Sequence, residues 1–465
     1  MVRLAAVAAL LALVTGPAAA HGGSLGGQRA SLSVPLWLFL LTGGAAVGAS
    51  FLLASFVTDR SFIREIHAAG RSLGLPGLVV PLARAVGVLG LLAVLASGFL
   101  GPAEPLSNLA VLVVWAGWWA GYTMSVYLLG NSWPVLNPWR TIARWLPSLD
   151  RTYPARLGAW PAAVGLLALI WLEVVSPLAD EPRLLAGVVL AYTVATLAGA
   201  AVFGEETWFG TVDPVSAVFR WYGRVAPVQR AGDGLALRLP GSALGGLSPS
   251  VTAVADGGSE ADGSESRVGL DEVGFVVALL WATTYDGFVA TEAWRSLASP
   301  LVGAGVPPAL LYPAALVAGY GLFLGAYWVA ADYGRRYADT CRTTAELARR
   351  FAPSLVAIAA GYHAAHYLGY FVELSPALWG ALAGPFGPAV PQVAVLPSWF
   401  GVVGLVAVLA GHWLAVWVAH ATAFELFPGR MQAIRSQYPL AGVMVLFTMS
   451  SLFVVAQPTI PPPFL

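Results

Sequence analysis

Ten apolar runs recur along the chain, at residues 35–57, 82–100, 109–129, 160–175, 184–203, 273–290, 309–331, 354–374, 398–424 and 439–456. A helix of about 20 apolar residues spans the hydrocarbon core of a bilayer. The pattern therefore predicts an all-α, polytopic transmembrane helix bundle of about ten membrane helices. A shorter apolar run precedes them. Arg3, then Leu4 to Val14, then the Gly16-Pro17 break and Ala18-Ala19-Ala20 read as a signal peptide over residues 1–20. Cleavage there would leave His21 as the mature N-terminus on the outer side, and an uncleaved signal anchor is the alternative.

The arginines test this count. With the N-terminus outside, the odd-numbered connections face the cytoplasm. They carry Arg60, Arg64, Arg71 and Arg84, then Arg140, Arg144, Arg151 and Arg156, then Arg220, Arg224, Arg230, Arg238 and Arg267. The last two carry Arg335, Arg336, Arg342, Arg349 and Arg350, and Arg430 and Arg435. Past the signal, Arg29, Arg183 and Arg295 alone fall on the other side. This is the positive-inside asymmetry, and one helix more or fewer would scramble it. The expected location is the cytoplasmic (plasma) membrane, crossed many times.

Composition excludes a soluble protein. Hydrophobic residues make up 58% of the 465 residues and charged residues 10%, with mean hydropathy +0.74, against roughly 25% charged in soluble domains. All 24 basic residues are arginine and are balanced by 24 acids, so no basic surplus points to nucleic acid. The single Cys341 excludes an internal disulfide and a multi-cysteine zinc site. Residues 245–268, rich in Gly, Ser and acids, predict a flexible cytoplasmic linker. It divides the chain into 21–244, with helices one to five, and 269–465, with helices six to ten.

Two connections resemble each other. Asn137-Pro138 and Asp213-Pro214 each open a stretch with Arg-Trp at matching spacing, Arg144-Trp145 and Arg220-Trp221. Asx followed by Pro suits a helix N-terminus, and Arg with Trp suits a helix lying at headgroup level. Interfacial helices are expected near 137–146 and 213–223. If the likeness reflects duplication, the helices bearing Glu173 and Asp286 hold equivalent places, and transporter sites often lie between repeats. Small-residue pairs Gly44/Gly48 and Gly321/Gly325 are candidates for close helix packing.

Ionisable residues inside membrane runs are costly and mark candidate sites. The eighth run carries His363, His366, Tyr370 and Glu373 at spacings of three, four and three, which form one polar stripe on a helix. The ninth carries His412 near mid-depth and His420 toward the cytoplasm, the sixth Asp286, and the fourth Glu173. Depth places Glu173, Asp286, His363, His366 and His412 in one outward slab. Imidazoles one helical turn apart can ligate a metal, with His412 from the neighbouring helix and the free amino-terminal His21 as further nitrogen donors suited to Zn or Cu. Asp286 and Glu173 are the candidate catalytic acids. The plainer alternative is that each group bonds a facing carbonyl or hydroxyl.

The chain resembles the prokaryotic polytopic membrane proteins labelled fenitrothion hydrolase or fenitrothion hydrolase-like. The resemblance rests on Ala20-His21-Gly22-Gly23, Leu136-Asn137-Pro138-Trp139-Arg140, Trp171-Leu172-Glu173, Asp213-Pro214, Thr283-Thr284-Tyr285-Asp286-Gly287-Phe288 and the His363/His366 helix. It implies hydrolysis of an apolar, organophosphate-like ester as a small-molecule substrate. Metal-assisted attack by water suits the residues, because no Gly-x-Ser-x-Gly motif lies in the membrane runs. Intramembrane His and acid groups equally suit a transporter for a metal ion or a proton-coupled small solute. Two facing histidines would also suit haem. A structural role beside a second membrane subunit is a further alternative.

Overall fold

The computed structural model describes residues 35–68, 70–73, 79–231, 234–245, 268–387, 391–458 and 460–464. The signal segment, His21 and linker residues 246–267 lie outside the described residues. The long helices are α1 (Leu36–Ser55), α2 (Val79–Leu100), α3 (Leu109–Leu128), α4 (Trp160–Val175), α5 (Pro182–Phe203), α6 (Leu270–Val289), α7 (Pro308–Tyr337), α8 (Thr344–Ala383), α9 (Gly401–Leu426) and α10 (Arg430–Ala456). Eight of them, all except α4 and α8, are long and apolar enough to cross a membrane. Helix α4 has 16 residues. Helix α8 has 40, but its centre is diluted by histidine, tyrosine and glycine.

Hydrogen bonds between connections establish one common face. From the α1–α2 connection, Arg60 donates to the carbonyls of Phe424, Phe427 and Pro428 at the end of α9. Arg342, between α7 and α8, donates to the Leu426 carbonyl at 3.1 Å. Arg144, between α3 and α4, pairs with Glu205, beyond α5, at 3.1 Å. The Ala159 amide before α4 donates to Asp271 at the start of α6 at 2.5 Å. A small antiparallel sheet completes the face. Strand β1 (Gly70–Leu73) comes from the α1–α2 connection, and β2 (Val228–Ala231) and β3 (Gly234–Arg238) come from the α5–α6 connection, in the order β1-β3-β2. These five arginine-bearing connections thus gather on one side, as the helix directions require. The opposite side is tied by Tyr312, whose hydroxyl donates to the Pro463 carbonyl at 2.6 Å, and by the Ile460 amide on Ala290 at 2.9 Å.

Burial ranks the helices. Helix α6 is buried on every side from Val273 to Gly287, and α8 is buried almost throughout 351–370. Both form the centre. Helices α2 and α7 are peripheral and point Leu82, Leu89, Val317 and Leu322 outward, as lipid-facing apolar surface does. Of the expected glycine pairs Gly44 alone lies at a close approach, where a Cβ would be 3.3 Å from Val445 Cγ1 of α10. A Cβ on Gly48, Gly321 or Gly325 would meet open space, because these glycines face away from neighbouring helices. The tight crossing is between α8 and α9, where a Cβ on Gly361 would lie 2.6 Å from the Ala407 carbonyl oxygen and 2.9 Å from the Gly411 Cα. It fixes α8 laterally, two residues before His363.

The two Asx-Pro segments do form capped helices, Pro138–Ala143 and Pro214–Gly223. Asn137 Oδ1 accepts from the Arg140 amide at 3.0 Å, and Asp213 Oδ2 from the Ser216 amide at 2.7 Å. The caps also meet: Asn137 Nδ2 and Trp133 Nε1 both donate to Ser216 Oγ at 3.3 Å. The second helix departs from the interfacial expectation. Trp221 and Tyr222 are fully buried, because the segment plugs the arginine-bearing end of the bundle instead of lying across it.

Asp213 is buried in this plug, and burial pushes its carboxyl up, against hydrogen bonds from Tyr192 and Ser216 that lower it. A raised folded value favours folding below the ordinary 3.8 and weakens it as pH rises through the folded value. Asp213→Asn is expected to remove that part of the pH dependence while keeping a cap. Asp213→Ala should lose about 1 kcal/mol of stability at every pH. Thermal unfolding followed by tryptophan fluorescence between about pH 4 and 8, around the usual carboxylate range, checks both.

Candidate functional site

The centre of the bundle is assembled by α3, α4, α6 and α8. Helix α8 starts on the arginine-bearing face, so His363, His366, Tyr367 and Tyr370 climb away from it over about 10 Å. Helix α6 presents Asp286, followed by Gly287. A Cβ at Gly287 would lie 2.6 Å from the Tyr362 hydroxyl and 3.6 Å from His366 Cε1. The missing side chain is what lets α8 bring its rings against Asp286.

Helix α3 is irregular where it faces α8. Residues Val113–Tyr122 form a π-helix, and Thr123 Oγ1 donates five residues back to the Trp118 carbonyl at 3.2 Å. Long π segments are rare, and short ones often mark functional sites. Small residues line this stretch: Ala116 and Ala120 are fully buried, and a Cβ on Gly121 would lie 2.6 Å from Phe371. The wide turn carries Trp119 over the cluster, with its ring 5.6 Å from His363 and 6.1 Å from Tyr367.

Asp286 is the hub. Its Oδ2 accepts the Tyr367 hydroxyl at 2.5 Å and lies 3.4 Å from His366 Nε2. Tyr367 sits between the two imidazoles, with ring centroids 4.6 Å from His363 and 4.7 Å from His366. His363 Nδ1 is 3.1 Å from the Tyr127 hydroxyl on α3. When Tyr127 donates, the histidine proton resides on Nε2. Glu173 of α4 is buried, and α4 packs against α6, the helix that carries Asp286. Tyr370 is 4% exposed, and its hydroxyl has no hydrogen-bond partner among the described residues.

The polar groups named from sequence thus divide. Glu173, Asp286, His363 and His366 come together. His412 does not join them: its Nδ1 donates to the Val408 carbonyl of its own helix at 2.8 Å, and no charged group acts on it. Antiparallel packing gives it the expected depth, but its ring turns to its own backbone. His420 holds the arginine-bearing end together, with Nε2 2.8 Å from the Val57 carbonyl and Nδ1 3.3 Å from Gln437 Oε1. Among the described residues no group of three or more His, Cys, Asp or Glu side chains is spaced to hold a metal ion. The expected set of His363, His366 and His412 is not gathered as ligands, because Tyr367 stands between the first two and His412 is elsewhere. His21 lies outside the described residues.

Sequence reading missed Tyr127, Tyr367 and Trp119. A signal for Tyr367 was present: it lies four residues after His363, on the same helical face. The small residues Ala116, Gly117, Ala120 and Gly121 marked the face of α3 that meets α8. The π turn itself left no such trace.

The chain matches no protein-family model, no curated protein and no solved structure. The residues of the site carry the functional argument.

Removing the Tyr367 hydroxyl takes a donor from a buried carboxylate, which costs about 1–3 kcal/mol. Tyr367→Phe is expected to destabilise by that amount, and Asp286→Asn to absorb most of the effect. A double-mutant cycle by thermal unfolding in detergent gives the coupling; additive losses would show that the two groups do not interact.

Proposed function

We propose that this is a proton-coupled small-solute transporter of the cytoplasmic membrane, with about ten spans and Asp286 as the proton-exchanging group. Counting α4 and α8 with the eight apolar helices gives that number. The carrying observation is the shared oxygen: Asp286 Oδ2 faces both the Tyr367 hydroxyl and His366 Nε2.

A carboxyl and an imidazole in contact inside a bundle can pass a proton between them. The groups on either side extend the path. Tyr127 and His363 lie toward the arginine-bearing face, and Tyr370 and Glu173 toward the other. Chains of intramembrane Asp, Glu and His serve as proton relays in pumps and transporters. The likeness of the two capped connections adds support, since it relates α4 with Glu173 to α6 with Asp286, and these helices pack side by side.

A second reading rests on the same pair. A carboxylate that orients an imidazole is the arrangement of a general base, with His366 taking a proton from water. Together with the family resemblance, it supports hydrolysis of an apolar ester that enters from the lipid. Product formation distinguishes the two readings.

In proteoliposomes with an internal pH dye, the wild type should dissipate an imposed proton gradient when solute is supplied. Asp286→Asn and His366→Ala should each reduce the rate at least tenfold. Wild-type rates in both variants, or no flux at all with release of ester product, would overturn transport in favour of the alternative.

The positive-inside rule puts the arginine-bearing face in the cytoplasm and the mature N-terminus outside. The exposed Cys341 on that face is a built-in reporter. A membrane-impermeant maleimide is expected to label it in inverted vesicles and not in intact cells; the reverse pattern would invert the topology.

A further inference from the structure

The charge balance of the central site points to the class of solute. None of the segments Leu109–Leu128, Trp160–Val175 and Leu270–Val289, nor residues 351–383 of α8, contains an arginine or lysine. The acids of this centre, Glu173 and Asp286, are both buried. The basic side chains of these segments are His363 and His366, so an anion brought here would meet two acids and no fixed cation. A cation would meet complementary charge.

Three further observations narrow the cation. The Tyr370 hydroxyl is buried, lies within the field of both carboxyls and has no hydrogen-bond partner among the described residues. It is an acceptor held ready beside two acids. Next, the walls are aromatic: Trp115, Trp119 and Phe371 pack around Tyr367 and Tyr370. An organic ammonium gains from aromatic faces, tryptophan most of all, and more so where water is excluded. Last, these three wall residues stay partly exposed while the tyrosines behind them are buried. The exposed edge is apolar, which suits a lipophilic cation better than a hydrated metal ion.

We propose that the transported solute is an organic ammonium cation, bound between Asp286, Glu173 and Tyr370 against Trp115 and Trp119. This rests on the proton-coupled reading and gives it a coupling rule. A buried carboxylate is neutralised either by a proton or by a cation, since an uncompensated charge in hydrocarbon is too costly. Cation entry therefore releases a proton from Asp286 or Glu173, and proton return releases the cation. No covalent bond changes, and one positive charge replaces another.

The test uses the full chain in nanodiscs, titrated with benzylammonium chloride. Sodium chloride and sodium benzenesulfonate serve as ionic controls. Tryptophan fluorescence reports binding, and a pH dye in weak buffer reports proton release. The expected result is saturable binding of the ammonium but not of the sulfonate, with up to one proton released per cation. Wild-type affinity should fall at least tenfold when the pH is lowered from 8 to 5. Glu173→Gln and Asp286→Asn should each weaken binding at least tenfold, and the exposed Glu104→Gln should not. The ammonium and sulfonate titrations of the wild type need no variant and so decide the cation assignment even if Asp286→Asn fails to fold. No saturable ammonium signal, or equal binding of the sulfonate, would overturn it. Proton flux without ammonium binding would sink this inference and leave proton coupling standing; ammonium binding without proton release would do the reverse.

Discussion

A carboxyl group in the middle of a membrane bundle has to be answered by its neighbours, and the centre of this protein is built around that demand. Asp286 sits on the most enclosed helix, where water cannot offset its charge. Tyr367 and His366 answer it directly. Their placement requires Gly287 to leave room, Gly361 and Gly411 to let α8 and α9 touch, and a π turn in α3 to carry Trp119 over the rings. Each of these local features is unfavourable or indifferent alone. A π turn sacrifices regular helical hydrogen bonding, and glycine in a helix costs about 1 kcal/mol against alanine. They make sense together, as parts of one enclosure around one acid.

The arginine-bearing end solves a different problem. Helix ends leave carbonyls without intrahelical partners, and here Arg60 and Arg342 reach across to the last carbonyls of α9. The same arginines that set sidedness by rule thus serve as fasteners. The plug formed by Pro214–Gly223 closes this end with Trp221 and Tyr222 inside. The far end has no comparable lattice of charge pairs among the described residues. The central acids lie toward that side, which is where the proposed path would open to the exterior.

Several features were readable in the chain before folding. Each run falls on a helix, because membrane length and apolarity leave few other options, but α8 (Thr344–Ala383) and α10 (Arg430–Ala456) start well before the runs at 354–374 and 439–456. Asn137 and Asp213 cap the helices that their Asx-Pro pairs announced, since capping is a contact between residues two or three apart. Asp286 and the His363/His366 pair stood out because polar groups within apolar runs are few. The readings that went astray concern direction around a helix. Gly48, Gly321 and Gly325 look like packing glycines, yet their open side decides otherwise. His412 has the depth expected of a ligand, yet its ring is turned to the Val408 carbonyl.

Sequence by itself determined which long segments are helical and how they alternate. Both follow from local hydrophobicity, charge and chain length. Tertiary structure alone decided which groups meet. Rotation of each helix about its own axis, and the identity of its neighbours, depend on packing between segments distant in sequence, 236 residues for Tyr127 and His363 and 81 for Asp286 and Tyr367. That is why Tyr127 could pair with His363 and Tyr367 with Asp286, while His412, only one helix away, stayed outside the cluster.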